Sequence, residues 1–125
     1  MRLLLDTHTL LWWLLTPGQL SAGAHAAITA PDVAVFVSAA SAWEAAIKRA
    51  LGKLDVPDDL ETQIAAAGFT PLSITLAHGT AAGALPLHHR DPFDRLLIAQ
   101  ARAERLTLVT RDAALAVYGI ETLAA

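Results

Sequence analysis

The chain has 125 residues, of which 54% are hydrophobic and 17% are charged, and its formal net charge is −3. This composition excludes a disordered chain, and the absence of cysteine excludes a disulfide framework and thiolate metal sites. The length predicts one domain over residues 1–125, and the lack of cysteine suits a cytoplasmic protein.

The first predicted element is a buried strand over Arg2–Asp6, because its apolar run is continuous rather than alternating. Asp6 lies at the C-terminal end of this strand, and Thr7–Leu15 is predicted as a helix that ends before Pro17-Gly18. Apolar residues cover too much of this helix to face one core, which indicates either simple core packing or a partner surface. Asp6 and His8 interrupt the apolar run far below the roughly 20 residues of a membrane span, so we expect no signal peptide or membrane anchor.

Predicted helices and strands alternate through the middle of the chain. A helix over Ser21–Ala30 precedes a strand over Val33–Val37. Ser38 and Ser41 both stand at helix-start positions after this strand. Ser41 and Glu44 have capping-box spacing, which predicts a helix with Glu44 in its first turn that ends at Gly52. The remaining predicted elements here are a helix from Val56 to Gly68, a short strand over Phe69–Ser73 and a helix over Thr75–Leu85.

The last third of the chain contains the best-marked helix. Asp91 stands at its N-cap position, Pro92 at the favoured first helical position, and the helix is predicted to run to about Arg105. A β-branched run follows and ends at Thr110, with Asp112 just beyond it. The final predicted elements are a short helix over Arg111–Tyr118 and an edge strand over Ile120–Leu123. This alternation predicts an α/β sandwich around a mostly parallel central sheet.

Four acidic residues, Asp6, Glu44, Asp94 and Asp112, fall at strand ends or helix starts of this predicted fold. In a parallel α/β sheet those positions share one edge, so the four carboxylates are expected to meet. Two unit charges about 4 Å apart repel by about 4 kcal/mol at an effective dielectric of 20, so converging carboxylates need either a compensating cation or raised pKa values. Oxygen ligands without cysteine favour Mg²⁺ or Mn²⁺, and such a site suits phosphodiester hydrolysis.

Each acid also has a purely structural interpretation. Glu44, Asp91, Asp94 and Asp112 all stand where a carboxylate caps a helix. Asp6 ends a strand with no capping box behind it, which favours a shared metal site over a set of unrelated caps.

The net charge does not by itself indicate a nucleic-acid binder. Outside the acidic edge, however, the chain is net basic, and six basic residues are expected to hold a phosphate backbone nearby: Lys48, Arg49, Lys53, Arg90, Arg95 and Arg111. His8 is interpreted either as a surface group or as a phosphate contact. His88 and His89 are interpreted either as a solvated basic patch or as an RNA backbone contact.

Four stretches, taken together and in order, resemble the PIN domain and, more narrowly, the VapC-type toxins of bacterial toxin–antitoxin pairs. They are Leu3–His8, Ser38–Glu44 together with Lys48 and Gly52–Leu54, His89–Ala101 and Leu108–Asp112. The resemblance implies a small α/β fold and a Mg²⁺- or Mn²⁺-dependent endoribonuclease. It also implies a homodimer that is inhibited by a VapB-type antitoxin, whose tail covers the active site.

The same resemblance assigns residues. It implies that Asp6, Glu44, Asp94 and Asp112 form the catalytic and metal-binding quartet, with Asp6 and Asp94 as the first choices for metal ligands. The implied outer-shell or substrate-contacting residues are Asp91, Thr110, Ser38, Thr7, His8 and Arg111. Thr110 and Ser38 match positions that brace the quartet or touch the phosphate, His8 stands where many members carry asparagine, and Asp91 is either a cap or an outer-shell ligand.

Two other functions compete with this hypothesis. A receiver domain also gathers acids and Mg²⁺ at a parallel sheet edge, but it expects an acceptor aspartate and a lysine at strand ends, and neither Val37 nor Val109 is followed by that arrangement. A PIN fold kept only for protein binding is the third possibility, and a nuclease assay with an EDTA control separates it from an enzyme.

Overall fold

A computed structural model describes residues 1–125 and contains one five-stranded sheet. The strands are β1 (Arg2–Leu5), β2 (Ala34–Ser38), β3 (Thr70–Leu72), β4 (Thr107–Thr110) and β5 (Thr122–Ala124). Their spatial order is β3-β2-β1-β4-β5, and every neighbouring pair is parallel. The predicted α/β class and parallel sheet are therefore confirmed, and the central strand is β1.

Six α-helices and two 3₁₀ helices surround the sheet. The α-helices are α1 (Thr7–Leu15), α2 (Ala22–Thr29), α3 (Ala39–Ala50), α4 (Leu60–Ala66), α5 (Leu76–Ala84) and α6 (Pro92–Glu104), and the 3₁₀ helices span Pro17–Gln19 and Ala113–Tyr118. None of these helices has both the length and the apolar character needed to cross a bilayer.

The sheet is buried on both faces. Leu3 and Leu5 of β1 pack into one apolar cluster with Leu10, whereas Leu4 packs into a second cluster with Leu97. Successive side chains of a strand point to opposite faces, so a strand covered on both sides needs an unbroken apolar run. This explains the sequence of β1 and leaves Asp6, at its end, as the first polar side chain of the sheet edge.

The start of α3 differs from the prediction. The helix begins at Ala39, because β2 continues to Ser38 and the Ser38 hydroxyl accepts a hydrogen bond from the Ala40 N–H at 3.0 Å. The predicted capping box of Ser41 and Glu44 is wrong, since both residues lie inside the helix and Glu44 is beyond its first turn. The Ser41 hydroxyl is buried and has no hydrogen-bond partner.

Helix α6 begins as predicted, because the Asp91 side chain accepts hydrogen bonds from the N–H groups of the first turn. Arg95, however, was expected to hold phosphate and is instead buried. Its guanidinium donates to five carbonyl oxygens at the end of α5 and in the following loop, those of Ala82, Gly83, Leu85, Pro86 and His89. Arg95 thus ties loop 85–91 to α6.

Helix α1 serves the core and keeps an exposed edge. Trp12, Trp13 and Leu14 are half-buried against the first apolar cluster, and the Trp13 ring lies 5.9 Å from that of Phe69. Leu15 is exposed. The prediction that this helix also provides a partner surface therefore remains a prediction.

Candidate active site

A cavity of about 320 Å³ lies at the carboxyl edge of the sheet. Asp6 enters it from the end of β1, Asp112 from the end of the neighbouring β4, and Asp94 from the first turn of α6. The other lining residues are His8, Trp12, Thr110 and Arg111. Three of the four predicted quartet residues, distant along the chain, thus line one cavity.

A larger cavity, of about 700 Å³, lies between α3 and α4. Its charged residues include Arg49 and Asp58, which form an ion pair with each other. None of the predicted catalytic residues lines it. Arg49, which was expected to hold phosphate, is therefore paired with Asp58 and does not line the cavity that contains Asp6, Asp94 and Asp112.

Asp6, which the sequence placed at a strand end with no capping box, is the N-cap of α1. The residue has an extended backbone, and its Oδ1 accepts a hydrogen bond from the Thr9 N–H at 2.9 Å, because α1 begins directly after it. A carboxylate has two oxygens and several lone pairs. Capping through Oδ1 therefore leaves Oδ2 of Asp6 for another partner.

Glu44 lies behind the cavity rather than in its lining. The side chain is buried, its Oε1 accepts a 2.5 Å hydrogen bond from the Thr7 hydroxyl, and its Oε2 accepts one from the Lys48 ammonium, also at 2.5 Å. The hydrogen bond with Glu44 raises the pKa of Lys48, and the charges of Glu44, Asp91 and Asp94 add to this, while partial burial opposes it. Lys48 is thus the counter-ion of the acidic group, whereas the sequence predicted that it holds phosphate.

Asp94 lies partly buried in the first turn of α6, and its surroundings shift its pKa upwards. Burial raises the pKa of Asp94, the negative charges of Asp91 and Glu44 raise it further, and hydrogen bonding with His89 lowers it. The His89 Nε2 lies 2.7 Å from Oδ2 of Asp94, and Oδ1 of Asp91 accepts a hydrogen bond from the Asp94 N–H at 3.1 Å. Asp91 therefore contributes both a cap and a nearby negative charge.

His89 is the residue that sequence reasoning missed. It was interpreted as part of a basic patch or an RNA contact, yet its ring meets a site carboxylate. The contact forms because Asp91 and Pro92 turn the chain into α6, which brings the preceding loop back over the first helical turn. No spacing rule identifies such a return, since it depends on the path of a loop.

The remaining predicted residues divide between the cavity and the scaffold. Thr110 is buried, and its hydroxyl accepts a hydrogen bond from the Asp112 N–H at 3.1 Å, while Asp112 caps the last 3₁₀ helix. The Arg111 guanidinium stacks on the Trp12 ring, 4.0 Å from its centroid. Ser38 caps α3 and does not line the cavity.

The side chains as they stand form no group of three or more His, Asp or Glu residues ready to hold a metal ion. Their chemistry nevertheless fits a hard divalent cation. Asp6, Asp94 and Asp112 offer only oxygen donors to the shared cavity. Glu44 and Asp91 add negative charge near Asp94, which a divalent cation would offset.

Comparison with known proteins gives one family. Residues 3–121 match the PIN domain family. No curated protein matches the chain.

Three solved structures have a similar fold. VapBC2 from Rickettsia felis, bound to a DNA fragment from its promoter, contains a chain with a TM-score of 0.70 and 14% identity, and the match covers 98% of each chain. A toxin–antitoxin complex from Klebsiella pneumoniae matches with a TM-score of 0.64 and 19% identity, over 98% of this chain and 96% of the other. FitAB bound to a DNA fragment matches with a TM-score of 0.66 and 15% identity, over 98% of this chain and 94% of the other.

Proposed function

Because the chain belongs to the PIN domain family, we propose that it is a VapC-type toxin, a Mg²⁺-dependent endoribonuclease of a type II toxin–antitoxin system. PIN domains are generally nucleases, which supports a phosphodiesterase activity. The observation that carries the proposal is the convergence of Asp6, Asp94 and Asp112 in one cavity. Mn²⁺ also prefers oxygen ligands, so we expect it to support the same activity in place of Mg²⁺.

The four acids have distinct roles in this proposal. Asp6 and Asp94 are the main metal ligands and Asp112 assists them, while Glu44, fixed by Thr7 and Lys48, completes the negative charge of the site. A Mg²⁺ ion held by Asp6, Asp94 and Asp112 would polarise a phosphate oxygen and lower the pKa of a water molecule. Hydrolysis would add the hydroxyl group of that water to phosphorus as the bond to the leaving oxygen breaks, and the released proton would be balanced by protonation of the leaving oxygen.

Side chains at the rim of the cavity are the proposed contacts to the RNA substrate. Arg111 lines the cavity and is held over Trp12, with its guanidinium also donating to backbone carbonyls. We assign Arg111 and the exposed His8 to the RNA phosphate next to the cleaved bond. Thr110 braces Asp112 rather than meeting the substrate.

The proposed partners are a VapB-type antitoxin and a second copy of this chain. The three similar structures are toxin–antitoxin complexes, and they match this chain over nearly its whole length. The exposed edge of α1, at Leu15, supplies an apolar surface for one of these partners. A short upstream gene for a DNA-binding antitoxin is the corresponding expectation in the genome.

Substitution of the carboxylates tests the proposed reaction. Asp6→Asn and Asp94→Asn keep the side-chain size, and the asparagine oxygen retains a capping acceptor, but each removes one charged ligand. Loss of an outer-shell partner already lowers metal affinity or activity by roughly 10 to 100-fold, so loss of a ligand is expected to reduce RNA cleavage by about 100-fold or more. Cleavage of a single-stranded RNA in MgCl₂, with and without EDTA, measures this.

Asp32→Asn is the matched control, because Asp32 is an exposed aspartate just before β2, at the opposite edge of the sheet. This variant is expected to cleave RNA at the wild-type rate. Normal cleavage by Asp94→Asn, or cleavage by the wild type that EDTA does not reduce, would contradict the proposed enzyme. Wild-type protein that binds an antitoxin but never cleaves RNA would instead support a PIN fold used only for protein binding.

A further inference from the structure

The hydrogen bond between His89 and Asp94 occupies one oxygen of the carboxylate. The His89 Nε2 lies 2.7 Å from Oδ2 of Asp94. When Asp94 is ionised, its carboxylate can only accept, so the Nε2 of His89 is then the donor of this hydrogen bond. Oδ2 of Asp94 is thereby engaged, whereas Oδ1 accepts no hydrogen bond and is left for another partner.

The backbone of His89 is fixed by hydrogen bonds at both its N–H and its carbonyl group. The His89 N–H donates to the Tyr118 hydroxyl at 2.8 Å, and the His89 carbonyl accepts from the Arg95 guanidinium at 3.0 Å. Tyr118 and Arg95 are themselves buried. The donor is therefore preorganised against Asp94, which is how partners of metal ligands fix ligand orientation.

From this geometry we propose that His89 is a positioning residue that limits Asp94 to ligation through one oxygen and so favours Mg²⁺ over Ca²⁺. The inference rests on the proposed function, in which Asp94 is a metal ligand. Mg²⁺ requires nearly ideal octahedral geometry, whereas Ca²⁺ accepts six to eight oxygens and binds carboxylates through one oxygen or two. A carboxylate with one oxygen held back suits the smaller ion and denies the larger ion a second contact.

Direct binding of ions to the full chain tests the proposal without RNA. Isothermal titration with MgCl₂ and, separately, with CaCl₂ is carried out on the wild type, His89→Ala and His89→Gln. Removal of the imidazole is expected to weaken Mg²⁺ binding by roughly 10 to 100-fold, in line with other outer-shell partners. Ca²⁺ binding is expected to hold or tighten, so the ratio of Mg²⁺ to Ca²⁺ affinity falls by about tenfold or more. His89→Gln, whose amide can donate to Oδ2, is expected to recover part of that ratio.

His88→Ala is the matched control. His88 is the exposed neighbour in the same loop, and its ring meets the edge of the Tyr118 ring but no carboxylate. This variant is expected to keep the wild-type affinities for both ions. Circular dichroism of each variant verifies that the fold is retained.

Each of the following results would overturn the positioning role. Unchanged affinities in His89→Ala would show that the hydrogen bond does not affect ligation, and an equal loss for both ions would indicate a general disturbance of the site. A wild type that binds neither ion would overturn the proposed metal site together with this inference. A wild type that binds Mg²⁺ and cleaves RNA, while His89→Ala keeps the same ion ratio, would overturn only the role of His89.

Discussion

Asp94 carries its negative charge in an unfavourable environment. Burial and the nearby charges of Asp91 and Glu44 raise the pKa of Asp94 above its ordinary value, although the hydrogen bond with His89 opposes them. Because the native state then binds the Asp94 proton more tightly than the unfolded state, this group stabilises the fold below the ordinary aspartate pKa. That contribution is lost as pH rises through the higher native pKa. In the metal-free protein at neutral pH, ionised Asp94 is therefore destabilising.

The destabilising effect of ionised Asp94 predicts that a substitution at this site can stabilise the fold. In EDTA at pH 7, Asp94→Asn is expected to be more stable than the wild type, because it removes a carboxylate whose ionised form the site disfavours. The stability difference is expected to shrink as pH falls through the raised native pKa towards the ordinary aspartate pKa, because native Asp94 takes up its proton before the unfolded chain does. Urea unfolding midpoints over a pH series measure it, with Asp32→Asn as the reference. A less stable Asp94→Asn at pH 7 would contradict the predicted sign.

The capping and ligand interpretations of these aspartates are compatible. Asp6 and Asp91 each accept backbone N–H groups through Oδ1, and Asp112 does the same at the last 3₁₀ helix. A cap uses one oxygen and places the side chain at a helix N-terminus, where negative charge is favoured. The same bond that begins the helix also fixes the direction of the second oxygen.

At the scale of elements, Arg95 is the connection between α5, α6 and the loop that carries His89. We expect Arg95→Met to lower the free energy of unfolding by about 3 kcal/mol, because several buried carbonyl oxygens lose a charged donor. Arg102→Met is the control, since Arg102 is exposed on the same helix, and surface changes of this kind stay within about 0.5 kcal/mol. Urea unfolding measures both. Equal effects in the two variants would contradict the structural role of Arg95.

Elements with a local physical signal could be predicted from the sequence. The unbroken apolar run gave β1 as a strand buried on both faces, and Asp91-Pro92 marked the start of α6. The beginning of α3 was misplaced, because Ser38 and Ser41 are both competent caps. The choice between them depends on where β2 ends, and the end of β2 is set by its pairing with β1 and β3.

The candidate site could be predicted only in part, for a related reason. Asp6, Asp94 and Asp112 stand at strand ends or helix starts, and the topology of a parallel sheet places those positions at one edge. Their convergence could therefore be predicted without knowing any side-chain contact. The contact of His89 with Asp94 and the burial of Arg95 depend on the path of loop 85–91. Carbonyl oxygens far along the chain fix that path, and no local pattern contains them.

At the scale of the molecule, the proposed metal site at the acidic edge is expected to couple ion binding to folding. Any ion that binds the folded chain but not the unfolded one stabilises it by mass action, by about 2.7 kcal/mol at a concentration 100 times its Kd. Mg²⁺ at that ratio is expected to raise the urea midpoint of the wild type. It is expected to have little effect on Asp94→Asn, which lacks a proposed ligand.

The comparison is made at equal ionic strength, with NaCl replacing MgCl₂, because salt alone screens the repulsion among the carboxylates. Asp32→Asn is expected to respond as the wild type does, since its aspartate lies at the other edge of the sheet. Stability that rises equally in NaCl and MgCl₂, or equally in all three proteins, would mean that screening and not a bound ion offsets the charge. A response confined to chains with Asp94 would link the stability of the whole fold to its acidic cavity.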